Sequence, residues 1–397
     1  MHIKIIVNSF PSTSETFLFN LVTGLENQGI KVTVCATSRK NDNKFYTHKL
    51  KEWSGNIQFI PLKADRISSL LKIVQLIFEH PRQLVKAIRS TSVKEGLSYI
   101  IRLNSLLEGN PDIVHFSFSG IGITYLDCLP NLKKNLIKTV VSCRGSAEKV
   151  KPLLDPNRGK NLQLLFSGVD LIHCVSYDMR DGLLCFGLMA EKTFVNYPSV
   201  DADKFNRSSK YESRTNNLII TTGRLHFQKG FIFALQAMKV LKERGLPFVY
   251  HILGEGPDRA MITFAIHELG LTNDVILHGK VSSLEVVKHL QLADIFLLPS
   301  VYEGVANAAL EAMAMEIPVV TTKAGGMSEV VKNKENGMIV DCFNSLAIAD
   351  AIEAVLLSQD LKGRLGKNGR LTVEKDFTLR KQIEIFINKY SDILNAS

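Results

Sequence analysis

Short apolar runs alternate along this chain with segments of helical periodicity, and Gly, Pro or polar turns separate them. The run His2–Phe10 precedes a helical segment that ends near Gln28, and a second apolar run follows at Lys31–Thr37. A strand, a helix and another strand in such close succession are typical of a doubly wound parallel sheet. We therefore predict an α/β domain at the start of the chain.

The alternation continues in two blocks. In the first block, strands are predicted at Asp112–Phe118, Lys138–Cys143 and Val169–Val175, with a long helical region between 67 and 107. Residues 192–217 break the pattern and have the polar composition of a connector between domains. In the second block the predicted strands, each followed by a helical segment, are Asn217–Thr222, Phe248–Leu253, Val275–His278, Ile295–Leu298 and Ile317–Thr321.

These two blocks predict two Rossmann-like α/β domains of similar size, residues 1–200 and 201–377, with a cleft between them and a final segment at 378–397. Composition agrees, because 45% hydrophobic and 22% charged residues suffice for buried cores and exclude disordered or collagen-like chains. Six scattered cysteines without a Cys-x-x-Cys pair favour reduced thiols in a cytoplasmic protein and argue against a zinc site. Met1–Val7 is predicted as a strand rather than a signal peptide.

The formal charge of +9 lies entirely in the first 200 residues, which contain 25 Lys+Arg and 16 Asp+Glu. Such a surplus serves solubility, or it favours anionic lipid headgroups or a phosphorylated substrate. The segment Ser69–Arg89 combines apolar and basic residues, so it is either a buried helix, the favoured interpretation, or a helix at the inner face of the cell membrane. Nucleic acid is not expected as a partner, because no zinc-finger or RNA-binding signature is present.

Candidate chemistry is concentrated where the strand Ile295–Leu298 ends. A loop with Glu303-Gly304 follows, and a helix is predicted to begin near Val305–Asn307. Ligands of parallel sheets bind beyond the carboxyl ends of strands, where helix N-termini present N–H groups to anions. Glu311 lies about 12 Å further along the helix axis. Two acidic groups around such a helix start suit hydroxyl groups on either side of a diphosphate; the alternative is two ordinary surface glutamates.

A second candidate element follows the strand Asn217–Thr222. Gly223 permits a tight turn, and Arg224 and Lys229 place two cations near the start of one helix. Arginine binds phosphate oxygens with a fork of two N–H groups, so this loop suits a diphosphate. The alternative is a pair of surface cations. The loop lacks the Gly-Lys-Ser/Thr ending of nucleoside triphosphatases.

Together these segments resemble the retaining nucleotide-sugar glycosyltransferases of glycosyltransferase family 4, which have the GT-B fold. The resemblance rests on Glu303-Gly-Val-Ala-Asn-Ala-Ala-Leu-Glu311-Ala-Met-Ala and on Gly-Arg-Leu…Lys-Gly at 223–230. It implies that Glu303 contacts the transferred sugar, that Glu311 contacts the ribose, and that Arg224 and Lys229 neutralise the diphosphate without a metal or a cofactor. The loop residues that it places at the sugar and phosphates are Gly304, Val305, Ala306 and Asn307.

The resemblance also assigns the turns that contain Gly254 and Val281 to the wall of the nucleobase pocket. It gives the pair Asp201 and Asp203, which could otherwise bind a metal, a structural place in the connector. It further implies that the helix predicted at Leu379–Leu394 packs back on the first domain.

The first block resembles the family more loosely. Ser12, Thr13 and Ser14 replace a glycine-rich loop and offer N–H and O–H donors to the donor phosphate, or cap the following helix. Arg144 stands where many relatives have a histidine that points at the donor sugar, so a contact with a phosphate or an acidic group of the acceptor is expected instead. His115 is either a residue of the cleft or a hydrogen-bonded core histidine.

The expected function is transfer of a sugar, with retention, from a nucleotide-diphosphate sugar to a saccharide or lipid-linked acceptor in bacterial polysaccharide or glycolipid assembly. Catalysis is expected to come from closure around both substrates and from stabilisation of the departing diphosphate. Two alternatives remain open at this stage. One is a nucleotide-sugar epimerase with the same fold, and the other is a non-catalytic protein that binds nucleotide sugars.

Overall fold

The computed structural model describes residues 1–10, 16–38, 55–60, 93–207 and 217–396, which form two compact units. The first unit combines Met1–Val175 with Arg180–Asn196 and the C-terminal residues from Ile383 onward. The second unit contains Ser176–Met179 and Tyr197–Gln382. Among the helices in these ranges, none is both long enough and apolar enough to cross a membrane.

The first unit contains a seven-stranded parallel sheet with the strand order β3-β2-β1-β4-β5-β6-β7. Its central strands are buried along almost their whole length, as expected for strands covered by helices on both faces. The strands are β1 His2–Ser9, β2 Lys31–Ser38, β3 Asn56–Phe59, β4 Ile113–Phe116, β5 Lys138–Cys143, β6 Leu171–Cys174 and β7 Thr193–Val195.

The described helices of this part of the chain are α1 Thr16–Glu26, α2 Val93–Leu107, α3 Ser119–Thr124, α4 Leu129–Lys134, α5 Ser146–Lys149, α6 Lys151–Leu154, α7 Pro156–Gly168 and α8 Tyr177–Leu183, the last of which begins in the second unit. The final helix of the chain, α16 Leu379–Asn395, contributes Phe386 and Tyr390 to the core of the first unit. Their rings pack against His115 and His173.

The second unit contains a six-stranded parallel sheet with the order β10-β9-β8-β11-β12-β13. Its strands are β8 Asn217–Thr222, β9 Phe248–Leu253, β10 Val275–Gly279, β11 Ile295–Leu298, β12 Val319–Thr322 and β13 Met338–Val340. Its helices are α9 Phe231–Glu243, α10 Arg259–Glu268, α11 Ser283–Leu292, α12 Asn307–Ala314, α13 Met327–Val330, α14 Ser345–Leu357 and α15 Gln359–Asp376.

Two apolar clusters bury the two faces of the second sheet. One contains the inward faces of α9 and α14, and the other contains the buried residues of α12 together with Leu290 of α11. Along β11, Ile295 and Leu297 belong to the first cluster and Phe296 and Leu298 to the second. This alternation is the period of two expected for a strand, and it fixes β11 in the middle of the unit.

The structure confirms the two-domain Rossmann-like α/β fold and most of the predicted strands. The interpretation of all of 192–217 as connector was wrong, because Thr193–Val195 forms β7 and pairs in parallel with β6. Thr, Phe and Val have high strand propensity, but three residues are too few to show periodicity. The predicted helical segment Ser69–Arg89 lies outside the described residues.

Candidate functional site

The strand order of the second sheet reverses between β8 and β11. The chain builds outward from β8 through β9 to β10, then returns to place β11 on the other side of β8. In open α/β sheets the crevice beyond the carboxyl ends of the strands at this point is the usual ligand site. Here it is flanked by residues 223–230 after β8 and by residues 299–306 after β11, the two segments that the sequence analysis singled out.

An ion pair joins the two loops at this point. Lys229 Nζ lies 2.5 Å from Glu303 Oε1, and Ser300 Oγ donates a hydrogen bond of 2.8 Å to the same carboxylate oxygen. The Glu303 side chain is 10% exposed and the Lys229 side chain 20%, so the pair is shielded from bulk water but still reachable. The structure therefore brings together two of the predicted catalytic residues as one preformed charged group. Ser300 was not predicted, although it lies three residues before Glu303.

Backbone contacts fix the relative position of these loops. Gln228 accepts a hydrogen bond of 2.9 Å from the amide of Val301, and its side chain donates one of 3.0 Å to the carbonyl of Tyr302. Gly230 has φ +66, and a Cβ there would lie 1.9 Å from the carbonyl oxygen of Pro299. Only glycine allows both this left-handed conformation and this approach of the two backbones. The spacing of Lys229 and Glu303 is thus set by main-chain atoms.

The turns after β8, β9 and β10 are packed against one another in the same way. The amide of Gly223 donates to the carbonyl of Leu253, and the amide of Gly254 donates to the carbonyl of Gly279, at 3.0 and 2.8 Å. Gly254 has φ +152, and a Cβ there would lie 1.8 Å from the carbonyl oxygen of Gly223. The predicted residues Gly223 and Gly254 are therefore direct neighbours. Val281, in the turn after β10, packs against the second apolar cluster.

The helix that starts beside the ion pair, α12, has no side-chain cap. Its N-cap is Ala306, which has no side-chain acceptor for the first-turn amides, and Asn307 is its first residue. Unsatisfied N–H groups and the helix dipole make such an end favourable for an anion. The loop before it is held in place by a 3.3 Å hydrogen bond from the amide of Gly326 to the carbonyl of Glu303. Gly304, Val305 and Ala306 are buried.

Glu311 lies on the same helix and is half-buried. Loss of water around its carboxyl group raises the pKa of Glu311 to about 7, and the positive charge of Lys204 acts in the opposite direction. Near neutral pH the group is therefore poised between a carboxylate that accepts hydrogen bonds and an acid that also donates one. Arg224 has an exposed side chain in the loop that carries Lys229.

The candidate residue Arg144 of the first unit lies directly after β5. Its guanidinium carbon is 4.1 Å from the ring centre of Phe17. The loop is supported by Glu148, which is buried, accepts a 3.0 Å hydrogen bond from the amide of Gly145 and contacts the hydroxyl of Ser119. Burial raises the pKa of Glu148. A buried polar network therefore holds the loop that carries Arg144.

His115 lies in the core of the first unit. It is fully buried, and its two ring nitrogens contact the Tyr390 hydroxyl at 2.7 Å and the Ser142 hydroxyl at 2.8 Å. Burial lowers the pKa of His115 to about 3, so the ring is neutral at physiological pH. This geometry supports the interpretation as a core histidine, which the sequence left open. A buried ring with both nitrogens bonded offers no contact to an acceptor.

Among the remaining predicted residues, Ser12, Thr13 and Ser14 lie outside the described residues. The Asp201 carboxylate accepts hydrogen bonds of 3.2 and 3.0 Å from the amides of Asp203 and Lys204, so it stabilises its own turn.

The sequence analysis assigned no role to Glu329, which lies on the short helix α13. Its carboxylate accepts hydrogen bonds from the amides of Tyr177 and Asp178, at 2.9 and 2.7 Å, and from the hydroxyl of Tyr197 at 2.7 Å. It thereby ties α8 and the connector to the loop that carries Gly325 and Gly326. These partners are more than 130 residues away in sequence, so no local pattern reveals them.

The chain is similar to known proteins over most of its length. Residues 14–204 match the family described as Glycosyltransferase Family 4, and residues 203–372 match the family described as Glycosyl transferases group 1. The chain is 28% identical, over 95% of its length and 96% of the relative, to the putative colanic acid biosynthesis glycosyltransferase WcaL of Escherichia coli K12. It is 26% identical to the amylovoran biosynthesis glycosyltransferase AmsK of Erwinia amylovora, over 98% of this chain and 97% of that protein.

Solved structures show the same fold. The crystal structure of HepE from Anabaena in complex with UDP-glucose matches 99% of this chain and 100% of its own, with a TM-score of 0.75 and 14% identity.

Proposed function

Because the chain belongs to the family 4 glycosyltransferases, which have the GT-B fold, we propose that it transfers a sugar from a nucleotide-diphosphate sugar to an acceptor hydroxyl with retention of configuration. The observation that carries this proposal is the Lys229–Glu303 pair at the switch point of the second sheet. A cation beside an uncapped helix start suits the diphosphate of the donor, and the adjacent carboxylate suits the hydroxyl groups of its sugar.

In this proposal each part of the donor contacts a different group of the second unit. Lys229, Arg224 and the first amides of α12 bind the diphosphate, and Glu303 accepts hydrogen bonds from the transferred sugar. Glu311 accepts hydrogen bonds from the ribose, and the turns with Gly254 and Val281 contact the nucleobase. HepE, which shares the fold, has been crystallised with UDP-glucose, which supports a donor of this class.

Catalysis in this proposal is electrostatic. The bond between the anomeric carbon and the phosphate oxygen breaks, the acceptor oxygen bonds to the anomeric carbon on the same face, and the acceptor proton moves to the departing phosphate. Negative charge grows on the diphosphate in the transition state, where Lys229 and the helix amides are already oriented and the exposed Arg224 adds a second cation. Two cations and a helix start replace the metal ion that other transferases use, so we propose that transfer is independent of divalent metals.

The acceptor side is assigned to the first unit. Arg144 lies over the ring of Phe17 in a loop that Glu148 supports, and the first 200 residues carry the whole charge surplus. These features suit a saccharide with acidic groups or one linked to a lipid phosphate at the membrane surface. The names of WcaL and AmsK place those relatives in the synthesis of colanic acid and amylovoran. We extend this role, assembly of a bacterial polysaccharide, to the present chain.

The test is a transfer assay with a panel of UDP-, GDP-, ADP- and dTDP-sugars and membrane lipid extracts as acceptor source, with and without EDTA. The proposal predicts a glycosylated lipid or oligosaccharide from one nucleotide class, at the same rate in EDTA. Each nucleotide sugar is also incubated without acceptor. Conversion of a donor to its epimer in that control would contradict transfer, and binding without any product would identify a non-catalytic protein.

A further inference from the structure

Three histidines of the second unit form a cluster that the proposed reaction does not use. His251 lies on β9, His278 near the end of β10 and His289 on α11. Their ring centres are 4.6 Å apart for His251 and His278, 4.5 Å for His278 and His289, and 5.8 Å for His251 and His289. All three side chains are half-buried, and one nitrogen from each ring lies within 4.8 Å of one nitrogen from each of the other two.

The alternation of side chains along two neighbouring strands creates this cluster. His251 stands opposite Ile276 in the parallel pairing of β9 with β10. Side chains two residues apart lie on the same face of a strand, so His278 shares the face of His251, and the two rings meet there. The ring of His289, on α11, contacts both of them.

We propose that His251, His278 and His289 bind one divalent transition-metal ion, with zinc as the expected species, through one nitrogen each. Imidazole is the neutral ligand that such ions prefer, and three histidines with a fourth position left to water form a known type of zinc coordination. This site is separate in chemistry from the donor site, and the proposed transfer does not require it.

The distances require only a small contraction. Three atoms no more than 4.8 Å apart share a point that lies at most about 2.8 Å from each, compared with the 2.0–2.1 Å of a zinc–nitrogen bond. Each nitrogen therefore has to move by less than ~1 Å, which small rotations of the rings supply. Half-burial leaves a path from solvent to the ion.

A ring nitrogen without a hydrogen-bond partner favours a metal as well. His278 Nε2 is buried and has no hydrogen-bond partner among the residues that the structure describes. A buried polar atom without a partner is costly, and coordination of a metal would remove that cost. The ion would then connect β9, β10 and α11.

The experiment uses the full chain without a polyhistidine tag, stripped of metal by a chelator that is then removed. Zinc is titrated in competition with a chromophoric chelator, and cobalt is added separately to record its visible absorption. Wild type is expected to bind one tight equivalent and to show tetrahedral cobalt bands. His289→Gln and His251→Gln are expected to lose at least about 100-fold in affinity, beyond the effect of losing an outer hydrogen-bond partner.

His267→Gln is the matched control, because His267 lies on α10 of the same unit with a side chain that is 78% exposed. Cys185→Ser excludes the exposed thiol as a ligand. At a hundredfold excess over its dissociation constant, zinc is expected to raise the Tm of wild type and both controls by about 5–10 °C and to leave the cluster variants unchanged. Equal melting of all metal-free proteins shows that the variants fold.

Two results would overturn the proposal. The first is an affinity of the wild-type protein for zinc that is no higher than that of the cluster variants. The other is an unchanged cobalt spectrum in His289→Gln, which would place the ion elsewhere.

Discussion

The two units use the polar residues near their central strands in opposite ways. In the first unit, His115, Ser142 and His173 form a chain of 2.8 Å hydrogen bonds, fully buried in the core. In the second unit, Lys229, Ser300 and Glu303 form a comparable chain, but it lies in loops at the switch point, and its charged members are partly exposed. One arrangement is suited to holding a fold together, and the other to contacting a ligand.

The difference follows from where each chain of hydrogen bonds ends. The core chain ends on the backbone of Asn196 and on the hydroxyl of Tyr390, a residue of the last helix. All of its polar atoms are thus satisfied within the first unit. The loop chain ends beside the start of α12, where amide groups have no side-chain acceptor. A polar cluster is therefore a better candidate for function when it adjoins unsatisfied groups than when it is complete.

The largest expected effect is the loss of activity when the hydrogen bonds between Lys229, Glu303 and Ser300 are broken. Glu303→Gln and Lys229→Ala remove charges that act on the sugar and the departing diphosphate, so kcat should fall by about 10²–10³-fold, as for loss of one oriented group. Lys229→Ala should also weaken donor binding. Steady-state kinetics of both variants and of Lys239→Ala, a lysine on α9 that is 46% exposed, tests this. Activity within threefold of wild type in all three proteins would contradict the assignment of Lys229 and Glu303 to the active site.

The next largest effect, on stability, is expected where the backbone of Gly254 packs against the backbone of Gly223. Gly254→Ala places a Cβ 1.8 Å from the carbonyl of Gly223, so the turn after β9 must shift, and the free energy of unfolding should fall by about 2–4 kcal/mol. Gly245→Ala is the matched control, because Gly245 also has positive φ but nothing within 4 Å of its Cβ position; it should cost only about 1 kcal/mol. Calorimetric melting of both variants measures the difference. Equal losses would show that close packing of the turns is unimportant.

Breaking the buried hydrogen bonds of His115 should lower stability without changing the rate of sugar transfer. His115→Leu leaves the hydroxyls of Ser142 and Tyr390 without one partner, at a cost of about 2–3 kcal/mol in unfolding free energy. The kcat of the folded protein should remain within twofold of wild type. A fall in kcat at full folding, with KM unchanged, would instead return His115 to the list of residues that contact substrate.

The same core histidine predicts a dependence of stability on acid. Its pKa is near 6.5 in the unfolded chain and about 3 in the fold, so the folded state favours the neutral ring. The contribution is complete above pH 6.5 and is lost as the pH falls towards 3, at about 1.4 kcal/mol per pH unit. Melting at pH 7 and 5 should show a smaller decrease for His115→Leu than for wild type. Parallel decreases would show that the ring is charged in the fold.

A smaller effect is expected from Glu311. Hydrogen bonds from ribose hydroxyls favour its carboxylate form, so donor affinity should increase by about tenfold between pH 6 and 8, across the pKa of about 7. Glu311→Gln should bind the donor several-fold more weakly at pH 8 and lose this dependence. Calorimetric titration at the two pH values distinguishes the cases. An unchanged slope in the variant would assign the pH dependence to another group.

The sequence predicted the second unit better than the first. Five predicted strands and the pair Glu303 and Lys229 could be read there, because apolar runs with clear turns mark a parallel sheet and the motif residues lie at strand ends. The burial of His115 could not be predicted, because its partner Tyr390 lies 275 positions away. The cluster of His251, His278 and His289 was missed for the same reason, since three histidines on two strands and a helix have no sequence spacing in common.

The central claim is that a nucleotide-diphosphate sugar binds at the switch point of the second sheet. Calorimetric titration of the wild-type chain, Lys229→Ala and Lys239→Ala with the UDP-, GDP-, ADP- and dTDP-sugars, in EDTA, tests it most directly. The account predicts binding of one nucleotide class to wild type and Lys239→Ala, and at least tenfold weaker binding to Lys229→Ala. Equal affinity of all three proteins, or no binding of any nucleotide sugar to wild type, would contradict it.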